Sequence, residues 1–199
     1  MTRWIILLAG WLIATSPVAV GQTLFVAASA GDVAAVDRLL ASGAAVDSPG
    51  PNAETPLIAA ALADQPKVAE MLVARGADVM ARNNGGFTPL HAAAYSGSDR
   101  IAVMLLAKGA ELEDQANKAR VTPLLVAAEQ NHVDLVELLL AQGADMTLVE
   151  RHGFTPLSRA VFKANVDVVR LLKSRGATCQ PADVLGGENY FQQCLEAGR

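Results

Sequence analysis

The sequence repeats itself with a period of 33 or 34 residues over most of its 199-residue length. The triplet Thr-Pro-Leu occurs at 55–57, 88–90, 122–124 and 155–157. A Gly-Ala pair recurs in phase with it, at 43–44, 76–77, 109–110, 143–144 and 176–177. Both series place one extra residue between Gly109 and Thr122. A fixed period of this length is typical of a solenoid, in which each unit buries its apolar face against the next.

Each unit carries the local signals of two helices. Thr can cap the first helix through its hydroxyl, and Pro fits the next position because it has no N–H to leave unpaired there. An Ala-rich stretch follows, as in residues 90–94, and then a turn, as in 96–98. The second helix has apolar residues at helical spacing, and the Gly of each Gly-Ala pair supplies a left-handed residue that ends it. Turn-rich segments, here called fingers, lead to the next Thr: 45–54, 78–87, 111–121 and 145–154.

Thr-Pro-Leu-His at 88–91, the Leu-Leu-x-x-Gly-Ala pattern and the period together resemble the ankyrin repeat. The resemblance implies an all-α repeat solenoid of stacked helix pairs, with β-hairpin fingers set at right angles to them. We expect five repeats over 22–176 and a C-terminal capping half-repeat over 177–199. The first unit reads Gln22-Thr23-Leu24 and lacks the Pro, which suits an N-terminal cap.

Residues 1–21 have the three parts of a secretory signal peptide. Arg3 precedes an apolar stretch from Trp4 to Ala14, Pro17 breaks it, and small residues stand before a predicted cut at Gln22. The alternative is an uncleaved membrane anchor, but a spanning helix needs about 20 apolar residues and Pro17 interrupts earlier. We therefore expect a periplasmic or secreted protein that is not attached to the membrane after cleavage.

Charge argues against one class of partner. The chain has 16 basic and 20 acidic residues, and removal of Arg3 with the signal peptide leaves 15 basic residues. A nucleic-acid-binding protein needs a basic face to meet the phosphates. We therefore expect no nucleic-acid partner.

No catalytic or cofactor-binding motif is present, and the three histidines do not have metal-ligand spacing. His91 belongs to the Thr-Pro-Leu-His turn, where its ring can bond the neighbouring backbone, and His132 lies at the turn between two helices. Only His152, at a finger tip, is left for other roles. Acidic residues that recur on the second helices indicate a solvated face. We predict no catalytic residue, metal or cofactor, and no enzyme activity.

The two cysteines lie near the C-terminus. Cys179 takes an apolar position of the repeat, and Cys194 falls in the predicted first helix of a sixth unit, where earlier units have an inward-facing Ala. An exported protein is expected to oxidise such a pair, so we predict a Cys179–Cys194 disulfide. The alternative is two buried thiols that pack as small apolar groups.

Positions that vary between units are candidates for recognition. Family resemblance implies that partners bind the finger tips and the exposed side of the first helices. Four of the seven aromatic residues that follow the signal peptide fall at such positions. The predicted partner-binding residues are Glu54, Leu62, Phe87, Tyr95, Lys118, Val121, Glu129, Arg151, His152, Phe154 and Phe162. The alternative is that the rings pack on neighbouring fingers and stabilise the fold.

The third finger holds the extra residue and both signs of charge. A longer finger can reach a partner, but insertions in surface loops also cost little, so ordinary drift is the alternative.

These observations favour a monomeric, non-catalytic module of the cell envelope that binds another protein through its concave face and fingers. An inhibitor or immunity protein is one such role. A scaffold that stabilises a periplasmic enzyme, or a secreted effector acting on another cell, is the alternative.

Overall fold

A computed structural model describes residues 23–184 and 187–197. Within them the chain forms one short 3-10 helix at Pro51–Ala53 and eleven α-helices. These are α1 (Leu24–Ser29), α2 (Val33–Ala41), α3 (Pro56–Leu62), α4 (Pro66–Ala74), α5 (Pro89–Ser96), α6 (Asp99–Ala107), α7 (Pro123–Glu129), α8 (Val133–Ala141), α9 (Pro156–Phe162), α10 (Val166–Ser174) and α11 (Glu188–Glu196). The predicted signal peptide and its cleavage site before Gln22 lie outside the described residues.

A threonine precedes the first helix of each pair, as the triplet predicts. In four pairs its hydroxyl oxygen accepts a hydrogen bond of 3.2 or 3.3 Å from the amide three residues later: Thr23, Thr55, Thr122 and Thr155. The Pro of each triplet is the first helical residue, where no backbone N–H is needed. Each first helix therefore starts at a point fixed by the sequence.

A glycine follows the second helix of each pair in the left-handed conformation. The φ angles of these glycines lie between 85° and 94°: Gly43, Gly76, Gly109, Gly143 and Gly176. At the first of them, the Gly43 amide donates to the Leu40 carbonyl and the Ala44 amide to the Leu39 carbonyl, both at 3.1 Å. This pair of bonds is the Schellman motif, which satisfies the last carbonyls of the helix and turns the chain into the finger.

The helices form two layers. Helices α1, α3, α5, α7 and α9 stack on one another, and each also packs against the second helix of its own pair. Small residues fill the inner stack, because consecutive alanines are completely or almost completely buried: Ala27–Ala28, Ala60–Ala61, Ala93–Ala94 and Ala127–Ala128. Side chains this small let neighbouring helices approach closely, so the high alanine content becomes the core of the solenoid.

The fingers are not the β-hairpins that the family resemblance implied. No strand occurs in residues 23–184 or 187–197. The second finger is closed by one backbone hydrogen bond, from the Asn83 amide to the Phe87 carbonyl, at 3.1 Å. Consecutive fingers also meet through single backbone hydrogen bonds, as from the Lys118 amide to the Gly85 carbonyl at 3.0 Å. Each finger is too short and too rich in turns to repeat such bonds into a ladder.

Helix α11 packs on α9 and ends the stack. Cys194 is buried on this helix and forms the predicted disulfide with Cys179, with the two Cα atoms 5.9 Å apart. The Lys173 ammonium donates to the carbonyls of Cys194 and Ala197 at 2.8 and 2.7 Å. These bonds give hydrogen-bond partners to carbonyls at the C-terminal end of α11, so a disulfide and charge-assisted hydrogen bonds hold the same helix.

We predict that replacing both cysteines by alanine lowers the free energy of unfolding by about 3 kcal/mol, since the bond closes a loop across a sequence separation of 15. Thermal unfolding with and without a reductant measures this. The reductant should lower the Tm of the wild-type protein and leave the Cys179→Ala/Cys194→Ala variant unchanged. A wild-type Tm that does not respond to full reduction would contradict the prediction.

Candidate partner-binding groove

A groove of about 400 Å³ crosses the face formed by the first helices and the fingers. The helices contribute Ile58 and Leu62 of α3, His91, Ala92 and Tyr95 of α5, Val126 and Glu129 of α7, and Arg159 of α9. The fingers contribute Glu54, Asn83, Phe87, Ala119 and Val121. The second, third and fourth units thus build most of one continuous surface, and the fifth unit supplies a cation at its end.

The groove lies where the repeat leaves side chains free to vary. Residues four positions after the capping Thr line it in three units, and residues seven positions after it line it in three units, because this spacing places them on one side of a helix. The seventh position holds Leu62, Tyr95 and Glu129 in successive units. Side chains at one repeat position therefore change from aliphatic to aromatic to acidic along the groove.

The structure brings six predicted residues together in the groove: Glu54, Leu62, Phe87, Tyr95, Val121 and Glu129. Tyr95 is 56% exposed and Leu62 is 37% exposed, and both line the same groove. Val121 is only 6% exposed and contributes to the floor. The Phe87 ring is half-buried and packs edge-on against His91, with 5.5 Å between the ring centroids.

The other aromatic candidates pack within the molecule. The ring centroids of Phe154 and Phe162 are 4.9 Å apart, and the centroid of Phe162 lies 4.3 Å from that of Tyr190 on α11. This cluster joins α9 to the terminal helix. Phe154 and Phe162 therefore pack within the fold, which was the alternative to partner binding. Neither ring lines the groove.

The remaining three candidates, Lys118, Arg151 and His152, are exposed on the third and fourth fingers and do not line the groove. The His152 Nδ1 atom lies 2.9 Å from a carboxylate oxygen of Glu150, a residue that is almost completely buried. His152 is therefore engaged within its own finger, contrary to the expectation that it is left for other roles.

His91 lies beneath the groove and is 1% exposed. Its Nδ1 atom accepts a hydrogen bond of 3.3 Å from the Thr88 amide, which places the proton on Nε2. Nε2 donates to the Val121 carbonyl at 2.9 Å, so the ring joins the start of the third unit to the end of the third finger. Burial lowers the pKa of His91, and the hydrogen bond to Val121 offsets this only in part. The predicted structural role of this histidine is confirmed by these backbone bonds.

His132 also has the structural role that its position predicts. Its Nε2 atom lies 2.9 Å from the Tyr95 carbonyl oxygen, and the residue directly precedes α8. It therefore joins the fourth unit to the end of α5 in the third unit, next to the most exposed ring of the groove.

Asn117 was missed by sequence reasoning and shapes the floor of the groove. Its side chain donates to the Val121 carbonyl at 2.7 Å and accepts from the Val121 amide at 3.0 Å. Asn83 has the equivalent role in the second finger, where its side-chain oxygen accepts from the Phe87 amide at 3.0 Å. Both residues stand five positions before the capping Thr, so their register was the available signal.

Asp114 was also missed, and it accounts for one of the charges of the third finger. Its side chain is buried and bonded by both terminal nitrogens of Arg82 from the second finger. Burial would raise the pKa of Asp114, but the hydrogen bonds from Arg82 and from the Ala116 amide hold it below its ordinary value. The extra length of this finger therefore accompanies an ion pair between two fingers.

Arg159 is the third missed residue and marks the end of the groove. Its Nε atom lies 3.8 Å from a carboxylate oxygen of Glu129, and the Lys163 ammonium lies 3.3 Å from the other oxygen. Other units have Ala59, Ala92 or Val126 at its repeat position. A single charged residue at an otherwise apolar position was the signal that could have found it.

Other site types find little support in the described residues. No group of three or more His, Cys, Asp or Glu side chains in residues 23–184 and 187–197 could hold a metal ion. In the same ranges, no helix has the length and apolar character required to cross a membrane.

Comparison with protein families gives one match. The family described as ankyrin repeats (3 copies) matches residues 24–116 and 113–183, which together cover most of the chain. A search of curated proteins finds no significant match.

We predict that His91 makes the protein less stable in mild acid. Because its folded-state pKa is lowered, the unfolded chain binds a proton more readily, so stability falls as the pH drops below about 6.5 until the folded-state pKa is reached. Chemical denaturation at pH 7.5 and pH 5.5 measures this. The His91→Leu variant should lose less stability between these values, since Leu125 occupies the same repeat position.

The control is His152→Gln at the 55% exposed side chain of a finger tip, which leaves His91 intact and should keep the acid-dependent loss. Equal acid dependence in the wild-type and His91→Leu proteins would contradict the assignment.

Proposed function

The chain belongs to the ankyrin-repeat family, and from that premise we propose that it is a non-catalytic module that binds another protein through the groove. Ankyrin repeats generally mediate protein–protein interactions. The observation that carries the proposal is the exposure of Leu62 and Tyr95 beside Phe87 in a groove of about 400 Å³. Large apolar side chains gathered in a cleft with a polar rim are typical of binding surfaces.

The scaffold supports this use because it holds the groove in one shape. Threonine caps and Schellman turns fix the ends of the helices, and Asn83 and Asn117 fix the fingers. A surface that is already ordered loses little conformational entropy when a partner binds. A few apolar anchors can therefore supply useful affinity.

The proposal is tested by affinity capture from an envelope extract with the Leu62→Ala/Tyr95→Ala variant. We expect this variant to bind the captured protein at least about tenfold more weakly, since exposed apolar anchors dominate such interfaces. Its Tm should stay close to that of the wild type because both side chains are substantially exposed. Phe87 is left unchanged, because its contact with His91 makes its loss a change in stability as well.

The matched control is Val103→Ala/Val166→Ala, which removes two side chains that are 50% and 48% exposed on second helices. It should retain the wild-type affinity. Equal affinity of both double variants for the captured protein would exclude the groove as the binding surface.

The proposed organisation is a cleaved signal peptide at 1–21, five repeats at 22–176 and a capping half-repeat at 177–199. The Cys179–Cys194 disulfide supports a periplasmic or secreted location, because disulfides persist in oxidising compartments. Within this proposal an inhibitor or immunity protein is one role, and a scaffold or a secreted effector is the alternative. The identity of the captured protein distinguishes these roles.

Export is tested by expressing the full chain in a bacterial host and measuring the intact mass of the periplasmic protein. We expect a polypeptide that begins at Gln22 and contains the disulfide. A variant that lacks residues 2–21 should stay in the cytoplasm. Recovery of the full-length chain in the membrane fraction would instead support the uncleaved anchor.

A further inference from the structure

Three exposed cations lie together at one edge of the groove. Ala119 lines the groove, and Lys118 and Arg120 are its neighbours in sequence. The Arg151 amide donates a hydrogen bond of 2.9 Å to the Ala119 carbonyl. The third and fourth fingers therefore place these three cations, here called the basic rim (Lys118, Arg120 and Arg151), beside the cleft.

The basic rim carries charge that its own fingers do not neutralise. Among the described residues, none of its three cations lies within 4.0 Å of a carboxylate. The acids of the same two fingers contact other groups or stand at the starts of the fingers. Asp114 binds Arg82, Glu150 contacts His152 and the Phe154 amide, and Glu113 accepts a hydrogen bond from the Asp145 amide. Glu111 and Asp145 are the first residues of their fingers. Among the described residues the rim therefore presents three cations with no carboxylate in contact, in a chain whose formal net charge is −4.

The end of the groove away from the basic rim carries a negative charge. Glu54 lines the cleft beside Leu62, and the described residues contain no cation within ion-pair distance of it. Glu129 does not change this polarity, because Arg159 and Lys163 offset its charge. The groove is therefore acidic at its N-terminal end, apolar in the middle and basic along the rim of the third and fourth fingers.

We propose that the groove binds an acidic segment of a partner protein, in which a large apolar side chain stands next to several carboxylates. This inference rests on the proposed function and specifies the chemistry of the partner. The apolar side chain packs against Leu62, Phe87 and Tyr95, and the carboxylates pair with the basic rim. Repulsion from Glu54 directs the acidic end of the segment toward the third and fourth fingers.

An acidic protein segment fits these charges better than a nucleic acid does. The basic rim has three cations, whereas a nucleic acid presents phosphates along its whole length and meets the net negative charge of the remaining surface. A short acidic segment meets the rim alone. The apolar middle of the groove also requires a buried side chain next to the charges.

The test selects binders from a display library of random 12-residue peptides with the predicted mature protein, residues 22–199. We expect the enriched peptides to combine Phe, Trp, Tyr or Leu with two or more adjacent Asp or Glu residues. Affinities are then measured for one enriched peptide and for its Gln/Asn counterpart at 50 and 300 mM salt. The acidic peptide should bind at least tenfold more tightly at low salt, and this preference should shrink at high salt.

The variant Lys118→Glu/Arg151→Glu should reduce the affinity for the acidic peptide at least tenfold. Its matched control is Arg38→Glu/Lys67→Glu, which makes the same change in net charge on exposed residues of the second helices. The control should lose less than threefold. Melting curves confirm that both variants are folded, because all four side chains are exposed.

Enrichment of basic or neutral peptides, or equal effects of the two charge-reversal variants, would overturn the inference. Peptides that lose affinity in Leu62→Ala/Tyr95→Ala but show no acidic preference would overturn it and leave the proposed function standing. A single-stranded DNA oligonucleotide that binds more tightly than the acidic peptide, through the same basic rim, would identify a nucleic-acid site instead.

Discussion

Close contact between the first helices is the constraint on which the rest of the structure depends. One helix pair cannot bury its apolar face alone, so each pair is stable only against its neighbours. Pairs of buried alanines, such as Ala60–Ala61 and Ala93–Ala94, set the separation of the stack because they add almost no volume between helices. Larger side chains at these positions would force the helices apart and break the bonds between fingers, such as the one from the Arg151 amide to the Ala119 carbonyl. The finger contacts therefore follow from the helix contacts.

The same constraint separates structural positions from recognition positions. Residues that face the neighbouring unit are small or aliphatic in every repeat, because their volume is fixed by the stack. Leu62, Tyr95 and Glu129 line the groove instead, and they differ at one repeat position. His91 is an exception, because it belongs to both the structural positions and the groove positions. It is buried like a core residue, yet it fixes the Val121 backbone that forms the floor of the groove. An acidic environment that protonates this ring would therefore disturb the fold and the groove together.

Most of the helical architecture could be predicted from the sequence because local chemistry specifies it. The capping threonines and the Gly-Ala pairs each act within one turn of helix, so their periodicity locates both ends of the pairs. The prediction of β-hairpin fingers was wrong. It came from the family resemblance and not from an alternation of apolar and polar residues in the fingers. Contacts between residues that are distant in sequence could not be predicted either. Nothing in the sequence indicates that Arg82 reaches Asp114, or that Tyr190 covers Phe162, since both contacts depend on how distant segments meet. Six of the predicted binding residues line the groove: the helix period locates Leu62, Tyr95 and Glu129, and the position just before the capping Thr locates Glu54, Phe87 and Val121.

Helix α11 also covers the C-terminal face of the described stack. It packs on α9, where a further unit would stack, and both the Cys179–Cys194 bond and the Lys173 ammonium keep it there. Repeat arrays need terminal units with a polar outer face for solubility, because an uncovered unit presents an apolar surface. In this protein that surface carries a helix with glutamate and glutamine side chains exposed on its outside, as at Glu188 and Gln192. The helix thus gives the alanine-rich stack a hydrated face at this end.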